Sequence, residues 1–119
     1  MSRSSLAMEF AENTIEWALE TLELSTGEIG LVVGANRRTV QRWREGESAP
    51  SPEHRRHLEA INQLRYLLET GFRNPEVAER WMHTPLPALK GKTPLFAITE
   101  GEMDLVIKNL AGLASGAHS

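Results

Sequence analysis

The chain has no cysteine, which excludes a disulfide framework and a thiolate metal site. It has no apolar run near the roughly 20 residues that a membrane-spanning helix needs. The opening MSRSSLAMEF lacks the apolar core of a secretory signal, so a cytoplasmic protein is expected, away from any membrane. His54, His57, His83 and His118 are scattered. Only His54 and His57 stand at i, i+3, and with no third ligand nearby they make no metal site. The carboxylates fall on helix faces that read as solvated, and no nucleophile–base constellation can be assembled from them. An enzyme, a metal and a cofactor are therefore not expected. Period-two alternation is missing throughout, so no strand is expected and the fold class is all-α.

What is present is an ordinary globular composition, 40% hydrophobic over 119 residues, enough for one compact domain or two small ones sharing a core. The net charge of −3 argues at first against a nucleic-acid partner. Its distribution argues the other way. Residues 1–36 carry −5, residues 37–56 carry +3 and residues 57–119 carry −1. The local field decides, because ordinary salt screens charge beyond about 8–10 Å.

The basic stretch centres on Gly30–Gly46, GLVVGANRRTVQRWREG. Ser25 with Glu28 three residues on forms a capping box, and Leu24 with Ile29 can staple it. Ile29, Val32 and Val33 share one helical face. Gly34 suits a left-handed helix end, and Asn36 caps a second helix after only a few residues. Gly30, four before Gly34, leaves room for a second helix to approach closely. This is the pattern of an angled helix-turn-helix. Steps of about 100° put Val40 and Trp43 inward and Arg38, Gln41, Arg42 and Glu45 outward, with Arg37 and Arg44 on the flanks. Arginine can pair with guanine O6 and N7, and glutamine can do the same with adenine. Arg37, Arg38, Gln41 and Arg42 are thus the candidate base contacts, and Thr39 and Arg44 the candidate phosphate contacts. A modest charge per chain favours binding as a dimer.

The remaining pattern is helical. Leu6–Leu22 shows an apolar stripe through Phe10 or Ala11, Ile15, Ala18 or Leu19, and Leu22. Trp17 is assigned to the core, and the outer face is acidic. Residues 1–5 read as a disordered lead-in. Ser48–Pro52, SAPSP, breaks the chain. Pro52–Thr70 is the longest helical pattern, striped by Leu58, Ile61, Leu64 and Leu68, and its basic start (His54, Arg55, Arg56, His57) can extend the phosphate contacts. Asn74 and Pro75 open another helix, followed by the irregular TPLPALKGK. Thr93 and Pro94 then open a short helix through Leu95, Phe96 and Ile98. A last helix from Glu102 to about Ala114 lines up Met103, Val106, Ile107, Leu110 and Leu113. The expected segments are 1–49, a connecting helix 50–72, and 73–119.

Trp81–Gly101, WMHTPLPALKGKTPLFAITEG, resembles the signature of the antitoxin Xre/MbcA/ParS toxin-binding domain. Trp81, Met82, Pro85, Pro87, Leu89, Gly91, Thr93, Pro94 and Gly101 fit its pattern position by position, and Leu86 stands where that family commonly has asparagine. The first half is similar to the Xre-type helix-turn-helix of the same antitoxins, and the likeness covers about residues 20–116. It implies an N-terminal Xre-like helix-turn-helix bundle joined to a small helical toxin-binding domain. It also implies an antitoxin of a type II toxin–antitoxin system. Its usual partner is a RES-type toxin, acting on NAD in the best-understood members, and the pair represses its own operon by binding operator DNA. A homodimer, or a hetero-oligomer with the toxin, would follow. The toxin-binding candidates are Trp81, Met82, Pro85, Leu86, Pro87, Leu89, Lys90, Gly91, Lys92, Thr93, Gly116 and His118. Trp81 and Leu89 are expected inside. Met82, Leu86, Lys90, Lys92 and residues 112–119 are expected at the contact. The alternative is a stand-alone repressor whose second half dimerises or binds an effector.

Overall fold

A computed structural model describes residues 3–114. Among the described residues there are seven α-helices and one 3-10 turn, and no strand. The helices are α1 (Arg3–Thr21), α2 (Thr26–Val33), α3 (Arg37–Arg44), α4 (Pro52–Gly71), α5 (Pro75–Met82), α6 (Pro94–Thr99) and α7 (Met103–Ala114), and the 3-10 turn spans Pro87–Leu89. The all-α expectation holds. No described helix is long and apolar enough to cross a membrane. The chain divides into two compact units, Met1–Ile61 and Asn62–Ser119. The division falls inside α4, within the stretch 50–72 that the sequence set aside as a connecting helix.

In the first unit α1 starts at Arg3, not after a disordered lead-in of five residues. It buries Ala11, Thr14, Ile15, Trp17 and Ala18, one face at helical spacing, with Leu22 buried just past its end, and Trp17 is inside as expected. The α2 start is the capping box that the spacing predicts. Ser25 Oγ accepts from the Glu28 N–H at 3.1 Å, and Glu28 Oε1 accepts from the Ser25 N–H at 2.9 Å. The α2 end is Gly34 in the left-handed region, φ 77°, its N–H donating to the Gly30 carbonyl at 2.8 Å. Asn36 caps α3 by accepting from the Thr39 N–H at 2.8 Å.

Gly30 does more than admit a neighbouring helix. Its carbonyl also accepts from the Ala35 N–H at 3.0 Å. A Cβ at Gly30 would collide with the Ala35 carbonyl oxygen, which is backbone and cannot rotate away. The close approach is therefore between α2 and the turn itself. With no side chain at position 30, the chain reverses in three residues and α3 folds back onto both α2 and α1.

In the second unit Asn74 caps α5 through the Val77 N–H, and Thr93 caps α6 through the Phe96 N–H. Pro75 and Pro94 each stand in the first turn, where no N–H is needed. α6 contacts α5 and α7, and the 3-10 turn also rests on α7. Ala78, Met82, Leu89, Ala97, Ile98, Met103, Val106 and Leu110 are buried. Two expected core residues differ: Phe96 is 52% and Leu113 43% exposed. α6 has only two turns and turns Ala97 and Ile98 inward, which leaves Phe96 outside.

The Gly30–Ala35 contact predicts that Gly30→Ala lowers unfolding stability by about 1–3 kcal/mol, the usual cost of overpacking a tight site. Gly27→Ala, where the nearest outside atom to a new Cβ is Ser25 Oγ at 3.8 Å, is expected to be neutral or to stabilise by up to about 1 kcal/mol. Urea denaturation of the two variants beside the parent checks both.

Candidate functional site

Each unit carries one candidate surface. In the first unit, Val40 and Trp43 are the only buried residues of α3. Both lie on its inward face, so the helix is fixed in rotation by hydrophobic burial. Arg37, Arg38, Gln41 and Arg42 are exposed, Thr39 is half-buried, and Arg44 is exposed. The outward set predicted from the helical period is therefore brought onto one solvent-facing surface. Arg44 differs in its partner. Its Nε lies 2.9 Å from Glu16 Oε2 on α1, so contact with a phosphate would compete with a carboxylate already in place. Among the described residues Arg37, Arg38 and Arg42 have no ion-pair partner.

His54 has a role that spacing alone did not assign. Its ring sits 5.2 Å from the Trp43 ring, centroid to centroid, tilted by 56°. Its Nε2 is 3.2 Å from the Gly34 carbonyl oxygen and its Nδ1 3.0 Å from Ser51 Oγ. A carbonyl only accepts, so Nε2 donates to Gly34, and Nδ1 pairs with the Ser51 hydroxyl. Ser51 Oγ in turn accepts from the His54 N–H at 3.2 Å. The start of α4 is thus bolted to the turn and to the back of α3. The visible signal was a serine three residues before the histidine. Its partner across the turn is 20 residues away and carries no local mark. Among the described residues no group of three or more potential ligands forms a metal site.

The second surface is the loop between α5 and α6. The Leu86 N–H donates to the Lys92 carbonyl at 3.0 Å, and the Gly91 N–H donates to the Leu86 carbonyl at 2.9 Å. Main-chain bonds close the loop, so it is shut without any side-chain amide at position 86. Lys90 and Gly91 both take left-handed conformations, φ 58° and 85°. Lys92 Nζ lies 2.9 Å from Glu102 Oε1, with side chains 28% and 31% exposed. That pair ties the loop's end to the residue just before α7.

The predicted loop residues separate by burial. Leu89 is 2% exposed and lies inside, as expected. Met82, expected at the contact, is 3% exposed and lies inside too. It ends α5 on the same buried face as Ala78, four residues earlier. Trp81 is half-buried, its ring 5.9 Å from that of Phe72. Leu86, Lys92 and Thr93 are half-buried, while Pro85, Pro87, Lys90 and Gly91 are exposed. Gly116 and His118 lie outside the described residues. Sequence reasoning missed Phe96 and Leu105, exposed apolar side chains of the same unit. Phe96 falls within the short apolar run of α6, while Leu105 stands off the α7 face that Met103, Val106 and Leu110 bury.

Residues 67–116 match the family model described as the antitoxin Xre/MbcA/ParS C-terminal toxin-binding domain. The chain is 27% identical over 104 residues to the mycobacterial cidal antitoxin MbcA of Mycobacterium tuberculosis (strain ATCC 25618 / H37Rv), an alignment covering 87% of this chain and 91% of that one. The MbcA of Mycobacterium bovis matches at the same level. Among solved structures, a chain of the M. tuberculosis MbcT-MbcA toxin-antitoxin complex aligns with TM-score 0.53 and 26% identity, covering 88% of this chain and 94% of that one.

The left-handed conformation at Lys90 predicts a gain on substitution. Strain of about 1–2 kcal/mol for a residue with a Cβ outweighs the roughly 0.5–1 kcal/mol of chain entropy that glycine loses on folding. Lys90→Gly should therefore raise stability by up to about 1 kcal/mol, read as an upward shift of the urea midpoint at unchanged slope.

Proposed function

We propose that this chain, an antitoxin of the Xre/MbcA/ParS family, neutralises a cognate RES-type toxin through its second unit and represses its own operon by reading operator DNA with α3. The observation that carries the first part is the family match over residues 67–116. It spans the closed loop 85–93, whose Pro85, Pro87 and Lys90 face solvent on a scaffold of buried Met82, Leu89 and Pro94. A loop held by its own main chain presents those side chains at little further entropic cost, which favours docking. The RES class is what the resemblance implies, and the relative solved with its toxin supports a toxin partner.

The DNA part rests on α3. Arg38, Gln41 and Arg42 project from a helix anchored by Val40 and Trp43, the arrangement in which a recognition helix enters a major groove. Arg38 and Arg42 stand four apart, so their guanidinium groups rise from one face and can reach neighbouring base pairs. One α3 offers few unpaired cations, so the chain is read as binding an operator in two copies, on half-sites about one helical turn apart.

Two measurements follow. Arg38→Ala and Arg42→Ala are each expected to weaken binding to DNA from upstream of the chain's own operon by about 1–3 kcal/mol and to relax base preference. A gel shift indistinguishable from the parent's would remove that residue from the base-reading set. For the toxin, deletion of residues 102–119 would strip Met103, Val106 and Leu110 from the core, so a substitution in the loop is the sharper probe. Leu86→Ser with Lys90→Glu should abolish rescue of growth when the chain is co-expressed with the neighbouring toxin gene, while the thermal melt still shows a folded protein. Undiminished rescue would place the docking surface elsewhere.

A further inference from the structure

Among the described residues, Arg44 alone of the four α3 arginines has an ion pair. Its Nε lies 2.9 Å from Glu16 Oε2 on α1, with side chains 46% and 41% exposed. A pair this open to solvent contributes little to folding. A second carboxylate lies close by. A Cβ on Gly46 would stand 2.7 Å from Glu12 Oε2, so that group rests against the backbone just past the end of α3. Thus α1 brings two carboxylates, one helical turn apart, to the C-terminal end of α3. The helix dipole disfavours negative charge there, so stability alone does not select the arrangement.

What the pair changes is the charge along one flank of α3. Arg37 and Arg44 are seven residues apart, which returns to within about 20° of the same side of a helix. That side flanks the outward set Arg38, Gln41 and Arg42. Two free cations there would form a row suited to the phosphate backbone, and phosphate contacts carry no sequence information. Arg37 has no ion-pair partner among the described residues, whereas Arg44 is occupied by Glu16. We propose that Glu16 is a specificity-determining residue: by withholding Arg44 from phosphates it weakens sequence-independent binding and leaves discrimination to Arg38 and Arg42. The inference rests on the reading of α3 as a recognition helix and adds a regulator to it. In an operator complex the base contacts fix the register of α3, so Arg44 meets a phosphate only if one lies at that place. On other DNA the chain is free to shift until one does. The carboxylate therefore weakens the sequence-independent complex more than the operator complex.

Fluorescence anisotropy titrations of the full chain test this with two short duplexes, one from upstream of its own operon and one of random sequence. Glu16→Gln keeps the side-chain length and removes the charge. One additional phosphate contact is a gain of about fivefold at about 0.15 M salt. Affinity for the random duplex is therefore expected to rise about fivefold, with its dependence on log salt steeper by about 0.9 per bound chain. The operator-to-random ratio should fall. Arg44→Gln in the parent should leave random-duplex affinity within about twofold, because Arg44 is already neutralised, whereas in the Glu16→Gln background it should remove the gain. Glu9→Gln removes the same charge from an exposed position two turns earlier on α1 and should give no gain. Both members of the pair are well exposed, and unchanged thermal melts of the variants confirm that folding is intact. Random-duplex affinity unchanged by Glu16→Gln overturns the proposal. So do an equal gain on both duplexes, an equal gain from Glu9→Gln, and a gain that survives the loss of Arg44. A parent that binds neither duplex overturns the recognition-helix reading and this inference with it. A parent that discriminates between the duplexes, with Glu16→Gln behaving like it, overturns this inference alone.

Discussion

The missing side chain at Gly30 is the constraint on which the first unit depends. Its carbonyl holds two successive N–H groups, those of Gly34 and Ala35, and its α-carbon lies against the Ala35 carbonyl. A turn this short can exist only with no Cβ at that point. Because the turn is short, α3 cannot continue the direction of α2, and it buries Val40 and Trp43 where α1 and α2 meet it. The outward bearing of Arg38, Gln41 and Arg42 is a consequence of that burial. His54 adds a second restraint from behind, binding the Gly34 carbonyl and resting on Trp43. The turn that sets the angle of α3 is thus held by one absence and one ring.

The second unit solves a different problem with similar means. Its loop has two prolines and two left-handed residues and forms only one 3-10 turn. Main-chain bonds at Leu86 shut it, and the Lys92–Glu102 pair pins its end to the approach of α7. Leu89 and Met82 hold it from inside. Exposed Pro85, Pro87 and Lys90 are left as a stiff rim. Lys90 keeps a conformation that glycine would take more easily, a local conflict that is common where a side chain is wanted for contact.

Charge is arranged by region rather than in total. The acidic face of α1 neutralises Arg44 through Glu16, so among the described side chains the cations of the first unit without an ion pair are Arg37, Arg38 and Arg42 on α3 and Arg55 and Arg56 on α4. Screening confines each to its own neighbourhood. A net charge of −3 is therefore compatible with a basic surface on one helix.

Helix positions, caps and the identity of the outward arginines were legible in the sequence because they depend on residues three or four apart. Ser25 with Glu28, Asn36 with Thr39, Asn74 with Val77 and Thr93 with Phe96 all satisfy backbone groups within one turn, and local spacing is enough to find them. The Trp81–Gly101 motif was legible for the same reason, being contiguous. The sequence did not reveal that Gly30 guards the turn, that His54 reaches a carbonyl 20 residues back, or that Arg44 is already held by Glu16. Nor did it separate buried Met82 from exposed Lys90, or buried Ile98 from exposed Phe96. Those outcomes depend on which elements meet in three dimensions. A periodic apolar residue belongs to the core only if another helix arrives to cover it, and a charge stays free only if no carboxylate is carried to it by the fold. Local spacing determined the elements and their caps; tertiary contact alone decided which side chains were left facing solvent, because burial is a property of pairs of elements and no single stretch of chain contains both members.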